Sequence, residues 1–370
     1  MEFGVFVVVV AIAYANGAND SFKGVATLYG SGASSYRAAL LWAVLTTLVG
    51  SLVAGIFAGE LVKTFSGAGL VPDVVLSDPV FIVSVALGAA VTVLLTALLG
   101  IPISTTHALT GALVGAGLFS SGLGVNFSVL EGKFLLPLIA SPVLAMGLVL
   151  TLFPLLRAVV RRWGLTQTSC ICVSAFDTNS LAGAPHSNAM LSTTHEFVVA
   201  QGDSISCASD SILATTWKIE LGPLLRKLHF FSAGAVSFAR GTNDTPKIVG
   251  IAMISQAFDM KINIIAIAVA MAIGGLLHSR KIAQTMSSRI LTFDEAEGTV
   301  ANLVTSFLVV AASRLGLPVS TTHVAVSSLF GLGAIKGNAR WSIVGGIALS
   351  WLMTLPMAGM LAAILFSILR

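Results

Sequence analysis

Two oxygen-rich polar sequences each occur twice in this chain. Gly17-Ala18-Asn19-Asp20-Ser21-Phe22-Lys23 returns as Gly241-Thr242-Asn243-Asp244-Thr245-Pro246-Lys247, and Pro102-Ile103-Ser104-Thr105-Thr106-His107 returns as Pro318-Val319-Ser320-Thr321-Thr322-His323. All four lie in or beside long apolar stretches, where polar groups are expensive and mark function by default. Polar helix breaks in corresponding positions of two apolar halves are the sequence pattern of a transport site.

Consider the serine-threonine motif first. Proline suits the first turn of a helix, where its missing N–H costs nothing, and Ser or Thr caps the end. A helix that starts inside the membrane aims free N–H groups and a partial positive charge at whatever lies beyond it, which favours an anion. Two such ends facing one another would offer a tetrahedral oxyanion donors from Ser104, Thr105, Thr106, Ser320, Thr321 and Thr322. The Gly-X-Asn-Asp motif has the complementary chemistry. Glycine permits an unwound turn. Asn19, Asp20, Asn243 and Asp244, with freed carbonyls nearby, suit a small hard cation such as Na⁺. An aspartate beside a bound anion repels it; a cation between them converts repulsion into coupling.

Simpler readings exist for each residue. Membrane Ser and Thr often bond to their own backbone or pack helices, which accounts for one motif copy better than for two matched ones. His107 and His323 are proton carriers or donors that orient the ligands. Lys23 and Lys247 neutralise substrate charge or snorkel to the interface. Gly111, Gly115 and Gly117 are first of all helix-packing residues.

The surrounding chain must hold these groups in a bilayer. It is 56% hydrophobic and only 10% charged, with a mean hydropathy of +0.95, whereas soluble domains carry about 25% charged residues. The long apolar runs exclude a transmembrane β-barrel and predict an all-α polytopic membrane protein of roughly 10–12 transmembrane segments. The net charge of +4 comes without a basic patch interleaved with aromatics, so nucleic acid is not an expected partner. Cys170, Cys172 and Cys207 have no ligand spacing and read as reduced thiols. Phe3 to Tyr14 lacks the basic n-region of a signal peptide and reads as a membrane helix.

Five apolar segments are expected in a first membrane repeat (1–156): Phe3–Ala18, Ala38–Val62, Val80–Leu99, Ile103–Phe119 and Phe134–Leu156. Five more are expected in a second (230–370): Phe230–Ile254, Ile262–Leu277, Val300–Leu315, Val319–Ile335 and Ile343–Leu369. Between them, 157–229 is polar and reads as an extramembrane loop. Its Ser192-Thr193-Thr194-His195 lacks the preceding proline and apolar context, so it reads as coincidence. Arg157, Arg161, Arg162, Arg226, Lys227, Arg280, Lys281, Arg289, Lys336 and Arg340 all fall on one side if every segment crosses. The positive-inside rule then places the loop in the cytoplasm and both termini outside. An odd number of crossings per half makes the repeats inverted. The spacings support duplication, with Asn19 and Thr105 86 positions apart and Asn243 and Thr321 78 apart. The fourth and ninth segments are short and alternatively re-entrant.

Gly-Ala-Asn-Asp and Gly-Thr-Asn-Asp, with Pro-Ile/Val-Ser-Thr-Thr-His in each half, resemble the inorganic phosphate transporter (PiT) family across both apolar halves. The resemblance implies a secondary transporter that imports inorganic phosphate with a coupling cation, from discontinuous helices in inverted repeats. By position it assigns Asn19, Asp20, Asn243 and Asp244 to the signature pairs, with Na⁺ at all four and phosphate also touching the two asparagines. Ser104–Thr106 and Ser320–Thr322 match the phosphate-binding turns. Two departures stand out: Lys23 and Lys247 replace a frequent asparagine, and Thr47 and Asn302 replace intramembrane glutamates of many members. Loss of those carboxylates disfavours a proton relay and tilts the expectation to Na⁺.

The expectation is therefore a plasma-membrane sodium–phosphate symporter working by alternating access, without organic cofactor or enzyme activity. A homodimer through small-residue faces is possible. The alternatives are a proton-coupled phosphate or sulfate permease of the same fold, and an anion channel.

Overall fold

The computed structural model describes residues 2–57, 59–121, 124–166, 168–176, 196–203, 215–254, 258–290 and 292–370. Ser192-Thr193-Thr194-His195 and Cys207 lie outside the described residues. The chain divides into two units, 1–153 with 229–370, and 154–228.

Among the described residues ten long helices dominate, five on either side of residues 163–220. They are α1 (Glu2–Asp20), α2 (Tyr36–Phe57), α3 (Pro79–Leu99), α4 (Thr105–Ser121) and α5 (Leu136–Arg162), then α6 (Leu221–Ile254), α7 (Met260–His278), α8 (Glu295–Arg314), α9 (Thr321–Lys336) and α10 (Trp341–Leu369). Among the described residues seven helical stretches are long and apolar enough to cross a membrane. The 17-residue α4 and the 16-residue α9 fall short of a full span, since about 20 residues are needed. The 34-residue α6 is long enough but carries Arg240, Asp244 and Lys247 in its middle.

The outward faces are apolar. On α2, Leu41, Leu45, Val49, Leu52 and Ile56 are all exposed, and their spacing of three or four residues sets them on one helix face. An exposed aliphatic stripe of this length is a liability in water and the expected surface in lipid. The inward faces set Ala, Gly, Ser and Thr, which allow backbones to approach, among buried Val, Ile, Leu and Phe.

The two halves pack reciprocally. A methyl group built on Gly17 of α1 would lie 1.9 Å from the Met271 carbonyl oxygen of α7, and one built on Gly274 of α7 would lie 2.0 Å from that of Tyr14. The matching pair in the other half repeats this: Gly241 of α6 against Thr47 of α2 at 2.3 Å, and Gly50 of α2 against Phe238 of α6 at 2.2 Å. Each half's first helix thus crosses the other half's second helix at bare backbone. Gly111 of α4 meets the Leu355 carbonyl of α10 in the same way, at 2.1 Å.

Here the structure corrects the sequence reading of Gly17 and Gly241. Neither glycine sits in an unwound turn; both are helical, and their role is close crossing. The first half does break, but later. α1 ends at Asp20, and a 3₁₀ turn (Lys23–Val25) and a short helix (Ala26–Gly30) follow. In the second half no break occurs, and α6 runs through Asn243 and Asp244 with Pro246 inside it. That proline lacks the N–H that would bond the Thr242 carbonyl, a local loss that the flanking turns tolerate.

The unit 154–228 holds a three-stranded antiparallel sheet that the sequence reading did not foresee. β1 (Ser169–Phe176) is central, paired with β2 (Glu196–Asp203) on one side and β3 (Thr215–Glu220) on the other. Its strands are short and lie among polar residues, so short apolar stretches such as Phe197–Ala200 did not announce them.

Candidate functional site

Both serine-threonine turns are built by the same local sequence. α3 ends at Gly100 and α8 is followed by Gly316, with φ of +76° and +68°. Glycine takes this left-handed conformation at no steric cost and closes the helix. The Ile101 amide bonds back to the Thr96 carbonyl at 2.9 Å, as the Leu317 amide does to Ala312 at 2.9 Å. Pro102 and Pro318 follow outside any helix, which corrects their expected place in the first turn. The next helix starts three residues later, at Thr105 and at Thr321. Ser104 Oγ accepts from the His107 amide at 3.1 Å and Ser320 Oγ from the His323 amide at 3.2 Å. Both serine hydroxyls therefore cap their own helices.

This arrangement leaves the Ile103 and Val319 carbonyls outside any helix, and they become the hubs of the site. Asn19 Nδ2 donates to Ile103 O at 2.9 Å, and Asn243 Nδ2 donates to Val319 O at 3.2 Å. Lys23 Nζ reaches Ile103 O at 2.8 Å, and Lys247 Nζ reaches Val319 O at 2.6 Å. The hydroxyls cross between halves: Thr322 Oγ1 donates to Ile103 O at 2.9 Å, Thr106 Oγ1 to Val319 O at 3.1 Å. Each half thus donates a hydroxyl to the carbonyl hub of the other. The freed carbonyls expected beside the Asn-Asp pairs come from the serine-threonine turns instead.

The two carboxylates are fully engaged. Asp20 accepts from Asn16 and Asn19 at 2.9 Å each, from Thr105 Oγ1 at 3.1 Å and from Thr322 Oγ1 at 3.3 Å, and pairs with Lys23. Asp244 accepts from Asn243 at 3.1 Å and Asn16 at 3.3 Å, and pairs with Arg240 and Lys247 at 3.4 Å each. Lys23 and Lys247 are 5% and 1% exposed, so the snorkelling reading is wrong for both. Thr321 makes no side-chain hydrogen bond among the described residues, unlike its counterpart Thr105.

Asn16 and Arg240 were missed by the sequence reading. Each lies three positions before the asparagine of its motif, and the two meet: Arg240 Nη2 donates to Asn16 Oδ1 at 3.1 Å. Arg240 is 1% exposed, and its Nε and Nη1 make no hydrogen bond among the described residues. The signal was available, because an arginine inside an apolar helix is a functional candidate by default. The motif had been read from the glycine onwards, one residue too late.

The other candidates lie around this cluster. The His107 and His323 rings are 4.5 Å apart; His107 Nδ1 is 3.0 Å from Ser104 Oγ, and His323 stacks on Trp351 at 3.9 Å. Asn302 belongs to a separate polar knot, donating to Thr27 at 2.9 Å and Ser232 at 3.2 Å. Thr47 donates to the Ser237 carbonyl at 3.1 Å, where α2 crosses α6.

A model of the phosphate transporter family matches residues 16–362, from Asn16 through both motif pairs to α10. The chain belongs to that family. It is a multi-pass membrane transporter and not an enzyme, and phosphate transport is the function that membership carries. Curated relatives include a "probable low-affinity inorganic phosphate transporter" of Rhizobium meliloti, 26% identical over 99% of this chain and 97% of that one. Another, of the same description, comes from Mycobacterium tuberculosis, 28% identical over 98% of this chain and 77% of that one. Among solved structures, "the sodium-dependent phosphate transporter" superposes with a TM-score of 0.76, covering 100% of this chain and 98% of its own at 20% identity, a likeness of fold.

Proposed function

We propose that this transporter imports inorganic phosphate by symport with a cation, sodium being the candidate, through alternating access between two inverted repeats. The observation that carries the reading is the meeting of both serine-threonine helix tips beside a buried charge cluster. That cluster pairs Lys23, Lys247 and Arg240 with Asp20 and Asp244. With all five ionised it sums to one positive charge, which attracts an anion, while the tips supply N–H and hydroxyl donors. Thr105, Thr106, Thr321 and Thr322 would face the oxyanion, with Ser104 and Ser320 holding the tips in shape. Asn19, Asp20, Asn243 and Asp244 would bind the coupling cation, together with the Ile103 and Val319 carbonyls. The positive-inside rule applied to the basic loops supports a cytoplasmic middle segment and termini on the outer side of the plasma membrane.

Uptake of labelled phosphate into proteoliposomes, with sulfate and arsenate as competitors and with sodium or choline outside, tests this. Concentrative, sodium-stimulated uptake that arsenate inhibits is expected. Uptake that follows a pH gradient and ignores sodium sinks the sodium assignment, and uptake that never exceeds equilibrium makes the protein a channel.

A further inference from the structure

The transport reading counts the charges of the two lysines but leaves their three-oxygen surroundings without a role of their own. Lys23 Nζ touches Asp20 Oδ1, the Ile103 carbonyl at 2.8 Å and Thr322 Oγ1 at 2.6 Å. Lys247 Nζ touches Asp244 Oδ1 at 3.4 Å, the Val319 carbonyl at 2.6 Å and Thr106 Oγ1 at 2.7 Å. An ammonium has three N–H donors, and each lysine finds three oxygens of three kinds: a carboxylate, a carbonyl and a hydroxyl. Each cage takes its hydroxyl from the opposite half, and both ammoniums are buried. Hard oxygens of this composition are also what a small cation requires in a broken-helix transporter.

We propose that Lys23 and Lys247 are tethered cations seated in the two cages where the coupling cation binds, so that a sodium ion enters each cage only as the ammonium leaves it. This rests on the reading of the Asn-Asp turns as cation sites and deepens it. Two unit charges cannot share one set of three oxygens, because at contact distance inside a protein they repel strongly. The lysine is therefore an internal competitor, and it lowers sodium affinity by the fraction of time it holds the cage. Because Lys23 shares Thr322 and Lys247 shares Thr106 with the helix tips, an ammonium displaced by sodium is released beside the anion. Sodium entry and phosphate capture are then two sides of one exchange, and each favours the other, as linkage demands.

The test is sodium binding to the purified transporter, measured with radioactive sodium in detergent without phosphate, for the wild type and for Lys23→Ala and Lys247→Ala. An ammonium that holds its cage nine-tenths of the time weakens sodium about tenfold. Each variant is therefore expected to bind sodium about tenfold more tightly or better, and melting temperatures should rise with sodium more in the variants than in the wild type. Lys23→Arg and Lys247→Arg, which keep the charge, should not tighten binding. Where alanine variants are not recovered, Lys23→Gln and Lys247→Gln remove the charge at nearly the same length. Recovery of a variant in sodium but not in choline supports the proposal through folding. Sodium affinity that is unchanged or weaker in both neutral variants overturns it, as does failure to recover any of them in either salt. The outcome separates from the transport reading, because absent phosphate uptake by wild-type proteoliposomes would sink that reading without altering the sodium titration.

Discussion

The two halves of the membrane unit use one plan with two different executions. In the first, α1 stops at Asp20, and the chain turns before Lys23; in the second, α6 runs through Asp244 and Lys247 unbroken. Asn16 stands in the first half where Arg240 stands in the second, and the two side chains meet. Thr105 is bound to Asp20, whereas Thr321 makes no comparable bond among the described residues. The shared features are those that fix the backbone: glycine crossings, left-handed glycines after α3 and α8, serine caps and reciprocal carbonyl hubs. The differing features are those that place charge. The comparison teaches that the scaffold is symmetric while the electrostatics are not, so one oxyanion would meet unlike surroundings on its two sides.

Seven substitutions break or sharpen that comparison. Asp20→Asn should have the largest effect, because it leaves Lys23 buried without its counter-charge, at a cost of about 3–5 kcal/mol. Asp244→Asn should cost less, since both of its cations sit at 3.4 Å; thermal melts and phosphate uptake of the two variants check the ranking. Arg240→Asn makes the second half resemble the first and removes the cluster's excess positive charge. The expected loss is about 1.5–3 kcal/mol of phosphate binding, the value of hydrogen bonds to charged groups, read as a raised half-saturation concentration for uptake. Equal phosphate affinity in this variant would show that the asymmetry does not serve the anion. Gly17→Ala and Gly241→Ala should each destabilise by about 1–3 kcal/mol through overpacking, and by comparable amounts, because each added methyl would lie within 2.3 Å of a carbonyl oxygen on the crossing helix. Melting temperatures that diverge widely would mean the scaffold is less symmetric than its contacts. Smallest is the contrast between Thr105→Val and Thr321→Val. Both should weaken phosphate binding, but only the first also removes a bond to Asp20, an added loss of about 0.5–1.5 kcal/mol measurable as a difference in melting temperature without phosphate.

Much of this was legible in the residues, for identifiable reasons. Apolar segments long enough to span a bilayer declare themselves by length alone, so the ten helices fall close to the expected segments. The duplicated motifs pointed to polar groups that meet, Asp20 with Thr105 and Thr322, and Asp20 with Asp244 through Asn16, because polar groups in apolar helices must find one another. Backbone conformation was less legible. A glycine in a polar motif permits either an unwound turn or a bare crossing, and only the partner helix, hundreds of residues away, decides between them. Pro102 and Pro318 were misplaced because proline suits the extended chain two residues before a cap as readily as the first turn. The lysines were ambiguous for a similar reason: a side chain long enough to reach an interface is long enough to reach Thr322 or Thr106. The strands of the middle unit had no apolar periodicity to mark them.

The interlocking of the halves bears on how the protein is made. Lys23 leaves the ribosome nearly 300 residues before Thr322, which completes its cage. During that interval the first helices must wait at the translocon, or in the bilayer, with a paired aspartate and lysine and with naked glycine faces that α6, α7 and α10 will later cover. Insertion and folding are therefore separate events here. A chain truncated after the first repeat should be held by membrane chaperones or degraded rather than persist as a smaller, self-sufficient carrier.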